Sequence, residues 1–218
     1  MPIDIESLIF EIRASELFEN RREIKWFFNN FDEKTPCNVL EVGSANEDIL
    51  FVLSRLGYKC DGVDLQCYNR PFHLNYNHFM ADFNLMASLF ANFFDVVVSI
   101  STLEHFGLSN NIENYDVLAV QNIWNSLKPS GVFYVTVPFG KDYRLAYANP
   151  SCPVWRVYNS ESLKNRVIQK FEILLQSFIV VEPFKQFCVG REITEAEAST
   201  FTDYANPAIM VGLKMRKT

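Results

Sequence analysis

Cys37–Asp48 reads C-N-V-L-E-V-G-S-A-N-E-D, and this stretch decides the fold. Val39, Leu40 and Val42 form the short apolar run expected of a buried parallel strand. Glu41 interrupts the run near its end, and Gly43 opens a tight turn. Asn46, Glu47 and Asp48 then precede Ile49, Leu50, Leu53 and Leu56, which share one helical face. Strand, glycine turn and helix make the first βα unit of a nucleotide-type α/β fold, with a ligand over the turn at the strand's carboxyl end. A dinucleotide fingerprint needs spaced glycines so that the backbone can approach a pyrophosphate at the helix N-terminus. Here Ser44, Ala45, Asn46, Glu47 and Asp48 follow Gly43. Two carboxylates at that place repel a pyrophosphate and favour a cation.

The bulk composition narrows the function classes. The 218 residues suffice for one domain with a full core, and 49% hydrophobic residues with 20 Phe exclude a disordered chain. A net charge of −6 without a Lys/Arg cluster argues against a nucleic-acid partner. Five scattered cysteines without a C-x-x-C pair fit a reducing compartment and no zinc site. The opening Met-Pro-Ile-Asp-Ile-Glu lacks the basic start of a signal peptide. No apolar run approaches the roughly 20 residues of a membrane span. The expectation is a cytoplasmic protein.

Before the first strand, Ile5, Leu8, Ile9 and Ile12, then Ile24, Phe27, Phe28 and Phe31, follow helical spacing. Residues 1–36 are therefore read as an N-terminal helical cap, and 37–218 as the ligand-binding domain. Lys59–Asp64 reads as a second strand closing on an acid, where ribose hydroxyls are accepted in such folds. A strand-end Asp also caps a following helix. Phe79–Asp82 reads as a third strand, and Phe93–Ile100, nearly unbroken in hydrophobicity, as the central fourth. Tyr115–Leu127 reads as an amphipathic helix ended by Lys128-Pro129-Ser130-Gly131, and Val132–Val137 as the fifth strand. Residues 138–158 read as a long loop. Its Tyr143, Arg144, Trp155, Arg156 and Tyr158 suit a hydroxyl-rich substrate ring by stacking and hydrogen bonding. Ser160–Val167 reads as a helix capped by its Ser, Glu172–Val181 and Ala208–Met215 as strands, and Thr194–Ser199 as a helical piece.

Glu41-Val42-Gly43 resembles the first motif of class I S-adenosylmethionine (SAM)-dependent methyltransferases, an acid followed after one residue by glycine. Ala45 and Glu47 stand where that family has further loop glycines. The string L-K-P-S-G-V-F-Y-V-T-V-P-F-G, Leu127–Gly140, is similar to the family's leucine-lysine-proline-glycine-glycine region. The resemblance implies a Rossmann-like α/β fold: a seven-stranded, mostly parallel sheet with a C-terminal antiparallel strand and helices on both faces. It implies SAM as cofactor and S-adenosylhomocysteine as product. The implied cofactor contacts are Glu41, Gly43, Ser44, Asp64 on the ribose, Leu65, Asp82 near the adenine amino group, Phe83 on the purine, and Ser99.

Ser101–Phe106 resembles the family's fourth-motif region, where a Glu-His pair recurs in small-molecule enzymes. His105 has the intrinsic pKa of a general base at neutral pH, and Glu104 is placed to orient it. Some relatives hold a divalent metal with Glu-x-x-Glu-His; Ser101 at the first position disfavours a metal here. The Asn/Asp-Pro-Pro-Tyr string of nucleic-acid amino-methylating enzymes is absent. Ser101–Gly140 resembles small O-methyltransferases of glycan and sugar-modifying pathways, which implies a sugar acceptor, a deoxyhexose such as rhamnose. The alternatives are another small molecule, a protein side chain, or a non-catalytic SAM-fold binding module.

Overall fold

A computed structural model describes residues 21–44, 49–66, 75–149, 152–181, 192–202 and 208–218. The first expected helix and the Ala45–Asp48 turn lie outside these residues. In chain order the elements are α1 (Arg21–Asn30), β1 (Asn38–Val42), α2 (Ile49–Arg55), β2 (Lys59–Asp64) and β3 (Tyr76–Met80). Then come α3 (Phe83–Met86), β4 (Phe94–Ile100), α4 (Tyr115–Ser126), β5 (Leu127–Phe139), β6 (Arg144–Asn149) and β7 (Cys152–Val157). The chain closes with α5 (Ser160–Ser162), β8 (Glu172–Val181), β9 (Glu192–Ile193), α6 (Glu195–Ala198) and β10 (Ala208–Arg216).

The main sheet has the order β3-β2-β1-β4-β5-β10-β8-β9. β3 to β5 pair in parallel, whereas β10 is antiparallel to both β5 and β8. Among the described residues the sheet thus holds eight strands, not seven; the eighth is the two-residue β9 on the edge of β8. The order reverses between β1 and β4, so the carboxyl ends of these strands diverge and open a crevice there.

Alternating residues of the strands bury opposite faces. Leu40, Val42, Val97, Phe133 and Val135 pack with Ala119, Val120 and Ile123 of α4. Val39, Val96, Val98 and Tyr134 pack with Ile24, Trp26 and Phe27 of α1 and Ile49, Leu50 and Leu53 of α2. Burial on both faces is what the unbroken apolar runs require. On β10, a Cβ at Gly212 would lie 2.5 Å from the Trp26 indole, so the glycine lets α1 lie close on the sheet.

Several boundaries differ from the sequence reading, and β5 already begins at Leu127 rather than at Val132. β3 ends at Met80, and Asp82 is instead the cap of α3, its Oδ1 accepting from Asn84 N at 2.9 Å. The expected loop at 138–158 contains the antiparallel β6–β7 hairpin, whose strands carry the apolar and aromatic residues Leu145, Tyr147, Val154 and Trp155 that favour pairing. α5 is capped by Asn159 rather than Ser160, in a reciprocal box with Ser162, and widens into a π turn over Leu163–Ile168. No described helix is long and apolar enough to cross a membrane.

Candidate cofactor and active site

A cavity of about 320 Å³ sits over the carboxyl ends of β1 to β4, where the topology opens the crevice. Gly43 forms its floor. Its φ of +89° is a conformation side chains rarely adopt, and a Cβ there would lie 2.2 Å from the Thr102 side chain. The Gly43 N–H donates to the Val63 carbonyl at 2.8 Å, which ties the turn to β2. Gly62 serves the same closeness: a Cβ there would lie 2.6 Å from Ser44 Oγ.

Asp64, Leu65 and Gln66 line the β2 side. Asp64 Oδ1 accepts from Gln66 N at 2.8 Å and so lies at the lip of the cleft. Ala81, Asp82, Phe83 and Tyr115 line the β3 side. Asp82 Oδ2 accepts from Tyr115 Oη at 2.8 Å; burial and this carboxylate raise the Tyr115 pKa, so the phenol remains a donor. Ser101, Thr102, His105, Phe106, Gly107, Ser109 and Asn110 line the β4 side.

Among the described lining residues two are aspartates and none is lysine or arginine. That donor and acceptor set rejects phosphates and matches a ligand with a diol, an amino-purine and positive charge. SAM fits it: Asp64 could accept from ribose hydroxyls, Asp82 and Phe83 could hold the adenine side, and apolar Leu65 could cover the base.

The structure brings Gly43, Asp64, Leu65, Asp82, Phe83 and His105 together in the cleft. Glu41 and Ser44 lie buried beneath it, and Ser99 lies inside the sheet with its Oγ unpartnered. Gln66, Ser109, Asn110 and Tyr115 were not singled out from the sequence, and Ser101, Thr102 and Phe106 entered only as parts of the fourth-motif string, without a binding role. The signal available was position alone: they follow β2 or β4 or open α4.

His105 Nδ1 lies 2.5 Å from the Val154 carbonyl oxygen. A carbonyl only accepts, so Nδ1 carries the proton and the neutral ring leaves its lone pair on Nε2. Partial burial under β7 lowers the His105 pKa and favours that neutral ring. Glu104 is almost wholly buried, its Oε1 4.0 Å from His105 Nε2, and its Oε2 has no partner. Burial pushes its carboxyl up to about 8, so at neutral pH it is mainly protonated and forms no ion pair with His105.

The five residues expected to touch substrate do not line this cleft. Arg156 and Tyr158 are buried beside it. Tyr158 Oη donates to Asp116 Oδ2 at 2.9 Å, and Arg156 Nη1 donates to the carbonyls of Glu104 and Phe106 at 3.1 and 2.6 Å. Arg166 donates to both Asp116 oxygens, and its guanidinium lies over the half-exposed Tyr143 ring at 5.2 Å. Arg144 is exposed and Trp155 half-buried on the hairpin. The hairpin therefore braces the turn that carries His105. Among the described residues no group of three or more His, Cys, Asp or Glu is placed to hold a metal ion.

A family model described as a methyltransferase domain matches residues 11–172. No curated protein matches the chain. Among solved structures, the chain is similar to 1,6-didemethyltoxoflavin-N1-methyltransferase of Burkholderia thailandensis, crystallised with 1,6-didemethyltoxoflavin and S-adenosylhomocysteine. That match has a TM-score of 0.62 at 16% identity, covering 99% of this chain and 83% of the other. It is also similar to coclaurine N-methyltransferase bound to N-methylheliamine and S-adenosylhomocysteine, with a TM-score of 0.62 at 11% identity over 94% and 75% of the two chains. The [4+2]-cyclase SpnF shares the fold with a TM-score of 0.64 at 15% identity over 98% and 92%, so the fold by itself does not name a reaction. The match over residues 11–172, with the cleft built on Gly43, Asp64 and Asp82, leads to one conclusion: the chain belongs to the methyltransferase-domain family and is a SAM-dependent methyltransferase.

Proposed function

We propose that the chain O-methylates a hydroxyl of a small polyhydroxylated acceptor, a sugar of the deoxyhexose class such as rhamnose in a glycan, with His105 as general base. The observation that carries this reading is the His105 Nδ1–Val154 contact, which leaves Nε2 as the basic atom of a ring lining the cleft. An alcohol is a weak nucleophile, and removing its proton as the new O–C bond forms lowers the barrier. The hydroxyl proton passes to His105 Nε2. The cofactor supplies a methyl carbon already activated by a sulfonium. His105, Ser109 and Asn110 offer neutral hydrogen-bonding groups on the same side, which suits an uncharged polyol. Phe106 closes that side with an apolar surface.

The test is an acceptor panel read by methyl mass gain: rhamnosides and other hexosides, phenols, amines and short peptides with SAM and the full chain. Methyl gain on a sugar hydroxyl, lost without SAM, supports the reading. Gain on nitrogen alone, the atom named for two of the similar structures, replaces it with N-methylation.

A further inference from the structure

We propose that Glu23, on the N-terminal helix α1, is a positioning residue for the α-ammonium of the cofactor, acting through the Ser101 hydroxyl. The inference rests on the SAM reading of the cleft and adds to it a residue from outside the strand-end loops.

Glu23 lies among the residues by which α1 packs on the sheet. Its neighbours Ile24, Trp26 and Phe27 are buried in the apolar core, yet Glu23 is itself 2% exposed. A carboxyl group is costly to bury unless it is hydrogen-bonded. Ser101 Oγ donates to Glu23 Oε2 at 2.5 Å, the length of a charge-assisted bond. The Ser101 N–H donates to Thr136 Oγ1 at 3.0 Å, and Ser101 holds φ at +45°, an uncommon value for a residue with a side chain. Two elements, α1 and β5, thus hold one serine in a strained conformation at the carboxyl end of the central strand, a place where such strain accompanies function.

The chemistry follows from proton counting. A hydroxyl has one proton, and that of Ser101 is committed to Glu23. Ser101 lines the cleft, and with its proton given to Glu23 its Oγ has only lone pairs left for a further partner. It accepts from an N–H donor there, and a cationic donor also gains from the carboxylate behind it. Ser101 precedes Thr102, whose side chain packs on Gly43. The serine therefore stands between the β1 turn and the β4 end. The α-ammonium, with its N–H donors and its positive charge, matches both demands.

Calorimetry on the full chain tests this with S-adenosylhomocysteine and with 5′-methylthioadenosine, which keeps the nucleoside and lacks the ammonium. Ser101→Gly removes the hydroxyl and relieves the φ. It should weaken S-adenosylhomocysteine about tenfold or more and leave methylthioadenosine within about twofold. Glu23→Ala should weaken S-adenosylhomocysteine in the same selective way, and Glu23→Ala in the Ser101→Gly background should add no further loss. Should Glu23→Ala fail to fold by thermal melt, Glu23→Gln keeps the shape without the charge and should show part of the same selective loss. S-adenosylhomocysteine binding to Ser101→Gly as tightly as to the parent, or an equal loss of both ligands, overturns the proposal. A parent chain that binds neither ligand overturns the cofactor reading instead.

Discussion

Arg156 Nη1 donates to the Phe106 carbonyl at 2.6 Å, and so β7 holds the turn that carries His105. The guanidinium is itself anchored, its Nε 3.8 Å from Asp116 Oδ1 in a site from which both side chains exclude water. Planar donors in a fixed fork let one arginine serve two carbonyls from Nη1 while its Nε faces a carboxylate, whereas a lysine offers its donors from a single nitrogen.

Arg156→Lys should therefore lower turnover with S-adenosylhomocysteine affinity nearly unchanged, since Arg156 does not line the cleft. Arg156→Ala should also cost about 3 kcal/mol of stability, because Asp116 and two carbonyls lose a buried partner. Denaturant unfolding beside kcat and KM for both variants checks this. A rise in KM for SAM matching the fall in kcat would place Arg156 at the cofactor instead.

His105→Ala should reduce kcat by about 10²–10⁴-fold while leaving S-adenosylhomocysteine affinity unchanged. The pH profile has a stated direction. His105 titrates below its ordinary value, so the free base persists as pH falls, and the acid limb of kcat/KM should lie below pH 6.5. Protonation then removes activity on further acidification. The limb should vanish in His105→Ala; a limb that survives belongs to another group.

Glu104 makes stability depend on pH. Its folded pKa is raised to about 8 from an ordinary 4.5, so the folded chain holds a proton that the unfolded chain releases. Its contribution is fully present below the unfolded value and is lost as pH rises towards about 8, at a slope of up to about 1.4 kcal/mol per pH unit. Glu104→Gln should flatten that slope. Relative to the parent it should gain on passing from pH 5 to pH 8, by about 2–4 kcal/mol, as read from thermal or urea unfolding.

Gly43→Ala should abolish S-adenosylhomocysteine binding. The new methyl group would meet Thr102 at 2.2 Å, in a φ that favours glycine alone. Thr102→Gly in the same chain should restore part of the binding by removing the clash while the φ strain remains. Calorimetry on the single and double variants separates the two causes. Full binding by Gly43→Ala would show that the turn is free to move.

Much of the scaffold was legible one segment at a time. The apolar run at Val39–Val42, interrupted only by Glu41, and the nearly unbroken run at Phe93–Ile100 belong to strands buried on both faces, and they are β1 and β4. Asp64 was readable because β2 ends on it, and strand ends in this topology face the ligand. Arg156 and Tyr158 show where that reasoning stops. Their residue types suit a polyol as well as a buried network, and only a partner distant in sequence, Asp116, decides between the two.

The sequence by itself determined the layering, the glycine at the first turn and the acid that ends β2, because these depend on periodicity and on the backbone freedom of single residues. Tertiary structure alone decided which nitrogen of His105 is basic, that Glu104 is held protonated, and that Glu23 reaches Ser101 across 78 positions of chain. Those properties depend on desolvation and on hydrogen-bond partners from distant segments. Neither is encoded in any local stretch of residues.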